Sequence, residues 1–329
     1  MAYVTGQAST LADLLFALRN ACTANGWTLS GNVLRKGTCF AEVKLNKLNI
    51  AAAPANGAIS VLACNGIDGS NNPTDAMAQP AFVGFLNTTG SLYPAWDFPV
   101  TYHIHVNTAP DEVYLLVNYN AGLQWQWLGF GQSPAPGNAG TGNWAAASLS
   151  NYTGVQGVAT ASCLTGGAVQ IGGSFSYPRF CPIPFWIGGF GDATANQVNY
   201  AIHGAINDTN GTSGWSPQVA PATAAGFVCA AWAMVPLLDR TPNSWNSETV
   251  LLPVEILQLR ASAKTSIIGE LGHLRMCRND YLPDGTVVPL SPDRWKVYPC
   301  YQRNTTTRNG GDNVNHSGTI AMAIRYDGP

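Results

Sequence analysis

Charge is what this sequence lacks most. Asp, Glu, Lys and Arg make up 10% of its 329 residues, against about 25% in ordinary soluble domains. The 46% of hydrophobic residues is ordinary, so Gly, Pro, Asn, Thr and Ser stand where charges usually do. Disorder is excluded, because disordered chains are charged and poor in aromatics, whereas ten Trp, twelve Tyr and eleven Phe can fill a core. A surface so weakly charged is poorly defended against association. It suits a protein largely covered by partners. The formal net charge is -2 with no cluster of Lys and Arg, which argues against a nucleic-acid partner.

Other absences narrow the chemistry. The eight cysteines, Cys22, Cys39, Cys64, Cys163, Cys181, Cys229, Cys277 and Cys300, include no CxxC pair, so zinc-ribbon and dithiol redox readings fail. Mostly buried free thiols are expected, since free Cys behaves as a small hydrophobe. The opening MAYVTGQAST has no basic region followed by an apolar one. The longest apolar run, Ala224 to Leu238, contains Pro236 and is too short to span a bilayer; it reads as a buried strand pair. The expectation is a soluble chain made in a cytoplasm, without membrane insertion. No GxSxG, HExxH, P-loop or DxDxDG pattern occurs, and GGFGD at Gly188–Asp192 lacks the third glycine of a dinucleotide fingerprint. No catalytic residue, cofactor or metal is assigned.

What is present is β-like. One amphipathic helix opens the chain: Ser9 or Thr10 caps it, Leu11, Leu14, Leu15, Leu18 and Cys22 fall at helical spacing, and Asn25-Gly26 ends it. WTLSGNVLRKG then reads as strand, turn, strand, and CFAEVKLNKLNIAAA and AISVLACNG continue in strands. Pro73 opens a second short helix, PTDAMAQ. After the loop SPAPGNAGTGN the residues from Trp144 to Val235 are rich in Gly, Ala, Asn and Pro. There RFCPIPFWIGGFG reads as an edge strand or extended loop. The last third regains strand character in four or five segments separated by polar turns.

The fold class expected is mainly β, or α+β with one short N-terminal helix, in sandwich or barrel-like modules. Residues 1–133 form a helix plus β domain, 134–236 a middle segment or insertion, and 237–329 a C-terminal β module. In that module Ile320, Met322, Ile324 and Tyr326 line one strand face and Ala321 and Ala323 the other, which requires cover on both sides. The polar run RNTTTRNGGDNVN before it reads as a surface loop at a protein contact.

The stretch from Thr101 to Ser133 concentrates the interesting side chains. His103 and His105 share one face of a strand. A metal site would need a third ligand, and His203, His273 and His316 lie in unrelated settings. A solvated or interface face is the reading adopted. Asp111 and Glu112 follow Pro110 in a hairpin turn and point apart, a poor acid/base pair. Trp125 and Trp127 share a strand face. With Trp186 and Trp215 they are the candidate aromatic contact or binding residues, because exposed indoles stack on sugars.

Three segments together resemble uncharacterised virion structural proteins of tailed bacteriophages. They are LADLLFALRNACTANGWTL near the start; YHIHVNTAPDEVYLLVNYNAGLQWQWLGFGQS with PGNAGTGNW; and LLPVEILQLRASAKTSIIGELGHLRMCRNDYLPDGTVV through DRWKVYPCYQRNTTTRNGG to HSGTIAMAIRYDG. The middle, about Trp144 to Val235, is unmatched. The resemblance implies a component of the tail, baseplate or neck/collar, with copies of itself and neighbouring tail proteins as partners. It brings no catalytic residues. A host-attachment protein binding a surface glycan is the first alternative, and a polymer-degrading tail hydrolase the second.

Overall fold

The computed structural model describes residues 1–46, 57–76, 80–85, 96–133, 142–152, 158–163, 166–170, 184–185, 200–201, 249–260, 264–306 and 319–329. The protein is mainly β. Its elements run β1 (Ala2–Ala8), α1 (Leu11–Thr23), β2 (Thr28–Ser30), β3 (Val33–Lys36), β4 (Cys39–Asn46), β5 (Gly57–Ile67), β6 (Pro73–Ala76) and β7 (Ala81–Phe85). Next come β8 (Val100–Asn107), β9 (Glu112–Tyr119), β10 (Gln124–Gln132), β11 (Asn143–Ala147), β12 (Leu149–Tyr152), β13 (Val158–Cys163) and β14 (Gly166–Gln170). The last are β15 (Pro184–Phe185), β16 (Tyr200–Ala201), β17 (Leu252–Arg260), β18 (Lys264–Arg278), β19 (Val287–Leu290), β20 (Asp293–Pro299) and β21 (Ile320–Arg325). Among the described residues no helix is long and apolar enough to cross a membrane.

Two sheets and the helix share one core. The first sheet has the order β1-β8-β9-β10-β11; the second runs β14-β13-β12-β7-β5-β4-β3-β2, with β6 also paired to β5. Alternation decides which side chains meet. Val100, Ile104 and Val106, Val113, Leu115 and Val117, Leu128 and Phe130 point inward from the first sheet. They meet Leu34, Ala41, Val43, Ile59, Val61 and Val83 of the second. Leu14, Leu15, Leu18, Ala21 and Cys22 of α1 complete this core. Thr10 caps the helix as expected, its Oγ1 accepting from the Asp13 N–H at 3.0 Å. The SGN turn joins β2 to β3 with Gly31 at φ +59°, a conformation that glycine adopts without a Cβ penalty.

The second expected helix is instead β6. Asp68 Oδ1 accepts from the N–H groups of Ser70 and Asn72, both at 2.8 Å, and this Asx turn folds the chain back along β5. Pro73 then opens a strand, where its missing N–H costs little, and pairs with Ile67. A single turn of helix would leave most of its backbone groups unpaired, whereas β5 offers a ready ladder. Residues 77–79 of that segment lie outside the described residues.

Near the expected boundary at residue 133, β11 pairs with β10, and β12 pairs with β7 of the second sheet. The C-terminal sheet has the order β15-β16-β17-β18-β21-β20-β19, so the middle of the chain contributes strands to it as well. Within it β15, from the proline-rich stretch, is an edge. The terminal strand β21 lies between β18 and β20, and Ala321, Met322, Ala323 and Ile324 are buried, so both faces are covered. Cys22, Cys39, Cys64, Cys277 and Cys300 are free and buried. Cys181 and Cys229, the apolar run 224–238 and the loop residues 307–318 lie outside the described residues, and of Cys163 only the backbone is described.

Candidate functional site

The first sheet is covered on both faces, and the two faces differ in chemistry. The inner face is mostly aliphatic, with Phe130, Tyr119 and Gln126 among the valines and leucines. The outer face carries Tyr3 and Thr5 from β1, His103, His105 and Asn107 from β8, Glu112, Tyr114 and Leu116 from β9, and Trp125 and Trp127 from β10. These meet in register: Tyr3 opposite His105, His105 opposite Tyr114, Asn107 opposite Glu112 and Trp127 opposite Leu116. Gly129 lies opposite Tyr114. A Cβ there would stand 3.0 Å from the Tyr114 ring and 3.2 Å from that of Trp144, so glycine gives the two rings their place.

The C-terminal sheet seals this face. His105 is 1% exposed. Its Nδ1 lies 3.2 Å from the Arg325 carbonyl of β21 and its Nε2 lies 2.8 Å from the Tyr298 hydroxyl of β20. His103 Nδ1 lies 2.6 Å from the Tyr3 hydroxyl, which receives a hydrogen bond from Lys296 Nζ of β20 at 2.9 Å. His103 also stacks on Trp125, ring centroids 5.7 Å apart, and the Lys296 ammonium sits over Tyr3 and Tyr326 at 4.5 and 4.9 Å. Burial lowers His103 to about 4 and His105 to about 3, and the Lys296 charge pushes both the same way. Both imidazoles are neutral in this setting.

A second contact ties the turn of the β8–β9 hairpin to β18. Between its pairings with Val254 and Pro253, β18 shifts register, which frees backbone groups at Gly272 and His273. Glu112 takes them up: Oε1 accepts from Gly272 N–H at 2.9 Å, and Oε2 accepts from His273 N–H at 3.0 Å and from the Tyr114 hydroxyl at 2.8 Å. His273 Nε2 lies 3.0 Å from the Pro110 carbonyl. Burial raises Glu112 to about 7, outweighing the three donors. His273 is lowered to about 4, again chiefly by burial.

Asp111 and Glu112 do point apart. Asp111 forms an ion pair with Lys36 at 2.7 Å on the sandwich surface, while Glu112 turns into the joint. The histidines lie on an interface face, but one inside the chain, where His105 is sealed from solvent and His103 is half-buried. Trp125 and Trp127 share a face and are buried, at 6% and 0% exposure. Neither ring offers a side to a sugar, because the C-terminal sheet already occupies that face. Trp186 and Trp215 lie outside the described residues.

Among the described residues no three His, Cys, Asp or Glu side chains converge on a point that could hold a metal. Comparison with protein-family models and with curated protein sequences gives no match to this chain.

Sequence reasoning passed over two groups that organise the structure. Glu112 is one; the only hint was an acid leading an otherwise apolar strand, EVYLLV. Gln126 is the other. Set between the two tryptophans, it points inward, and its amide accepts from Gly84 N–H and donates to Gly84 O, both at 2.8 Å. It thereby ties the first sheet to the second.

Proposed function

We propose that this chain is a structural component of a tailed-bacteriophage virion, an oligomeric building block of the tail, baseplate or neck/collar rather than an enzyme. The resemblance lies in the two ends of the sequence. The observation that carries the reading is that those ends are clamped together through a face whose functional-looking side chains are consumed by one another. Histidines, tryptophans and a glutamate that would otherwise suggest chemistry are used to hold the sandwich to the C-terminal sheet. The low-charge exterior that remains suits packing against symmetry mates and neighbouring particle proteins.

The partners implied are copies of this chain and adjacent tail proteins, and the location is the virion. Mass spectrometry of purified particles, with a cryo-microscopy map at side-chain resolution, tests this. The expected result is the chain in fixed copy number at a symmetric ring of the tail apparatus. Absence from intact particles would overturn the reading. Glycan-array binding by the isolated chain would move it to host attachment, with Trp186 and Trp215 the indoles to substitute first.

A further inference from the structure

The hydrogen bonds across the joint have a fixed polarity. A carbonyl only accepts, so His105 Nδ1–H donates to Arg325 O, and Nε2 is left to accept the Tyr298 O–H. An ammonium only donates, so Lys296 takes one lone pair of the Tyr3 oxygen, which lies 2.6 Å from His103 Nδ1. Thr5 Oγ1, 3.2 Å from the same nitrogen, gives its proton to the Tyr102 carbonyl. Neutral His105 therefore holds Nε2 as an acceptor. A second proton on either ring places a cation beside the Lys296 ammonium, and on His105 it does so in a side chain only 1% exposed.

The surroundings offer such a proton no compensation. From β1 the histidines face Tyr3 and Thr5; from β9, Tyr114; from β10, the Trp125 ring; from β20, Lys296 and Tyr298; from β21, Tyr326 and the Arg325 carbonyl. The Arg325 guanidinium is paired with Asp293, and Arg294 lies over Tyr326. Glu112, one pair along the hairpin, is held by Gly272, His273 and Tyr114. The charged side chain set beside the cluster is a cation, Lys296, hydrogen-bonded to the Tyr3 oxygen.

We propose that the joint between the sandwich and the C-terminal sheet is an acid-sensitive latch, in which protonation of His103 and His105 parts the two while each stays folded. Parting them breaks Tyr298 to His105, His105 to Arg325 and Lys296 to Tyr3, together with the bonds of Glu112 to Gly272 and His273 and of Gln124 to Tyr301. The core under the first sheet is separate, on the other face, and is built of hydrophobic side chains. The lowered proton affinities of both rings fit this direction, and His273 adds to it. Glu112 acts the other way, since it gains its proton as the pH falls. Asp284, raised by burial beside Trp125, acts with Glu112, so three histidines stand against two carboxylates and acid remains the net destabiliser of the joint.

Small-angle scattering and far-ultraviolet circular dichroism on the full chain, titrated from neutral pH to about pH 4, test the latch. The radius of gyration is expected to rise while the strand signal is kept. In His103→Gln/His105→Gln the rise should move to lower pH by about half a unit or more. Lys296→Gln, which removes the repelling cation and leaves both histidines in place, should move it to higher pH. It keeps the test open if the double variant does not fold. A constant radius down to that pH, loss of strand signal in step with the expansion, or an unchanged midpoint in the variants would overturn the proposal.

Discussion

At Glu112 two forces oppose each other. Complete burial favours the neutral acid, and three donors favour the anion; burial prevails and the group titrates at about 7. A folded value above the ordinary 4.5 means that its contribution to stability is complete below 4.5 and lost as the pH rises through 7. The histidines have the opposite sign. Their folded values of about 3 to 4 lie below the ordinary 6.5, so their contribution is complete above 6.5 and is lost as the pH falls. Three histidines outweigh Glu112, so stability should rise with pH and level off near 7. Urea titrations across pH check this: Glu112→Gln should steepen the rise between 4.5 and 7, because the carboxyl opposes the histidines over that range. At one pH, Glu112→Ala should cost on the order of 3 kcal/mol, because it strands two backbone N–H groups and a buried hydroxyl. Gly272 belongs to the same contact. A Cβ there would stand 2.7 Å from Pro110 Cδ, a backbone-anchored ring that yields little. Gly272→Ala should lower the urea midpoint by roughly 1–3 kcal/mol in stability.

Among the elements, α1 was fully legible and β6 was not. The helix has a cap, a stripe and a stop within its own sequence; Leu14, Leu15, Leu18 and Cys22 of the stripe are buried, joined by Ala21, while Leu11 is half-buried. Leu15 is buried against the shared core, so Leu15→Ala should cost about 2–5 kcal/mol. Phe16, 67% exposed on the far side, serves as the control, and Phe16→Ser should leave the melting temperature close to wild type. An equal loss in the two variants would contradict this placement of the helix. In β6, Pro73 carries a helix-start signal that a neighbouring strand overrides. The decisive partner, β5, comes from earlier in the chain and cannot be read from PTDAMAQ alone.

For the molecule as a whole, the last strand is a structural keystone. Removing everything after Asn315 would take β21 out from between β18 and β20, opening two ladders at once. It would also remove the Arg325 carbonyl and Tyr326 from the joint. Expression of this truncation should give insoluble protein, read as the soluble fraction after lysis. A soluble, strand-rich product would show that the C-terminal sheet can close without its central strand.

The sequence by itself determined whatever depends on neighbours a few residues away. Helix periodicity placed α1, alternation placed the histidines and tryptophans on one strand face, Pro110-Asp111 set the β8–β9 hairpin, and the doubly apolar β21 required cover on both sides. These rules have periods of 3.6 and 2 residues, and a short window contains them. What lies against those faces was beyond that window. HIHV opposite Tyr298 and Arg325, or Glu112 beneath Gly272 and His273, joins positions more than a hundred residues apart. The same alternation that exposes a tryptophan to a sugar also buries it under a sheet, because a strand face carries no record of what covers it. Only the tertiary structure decided that Trp125, Trp127 and both histidines face inward, and it did so by closing the C-terminal sheet over them.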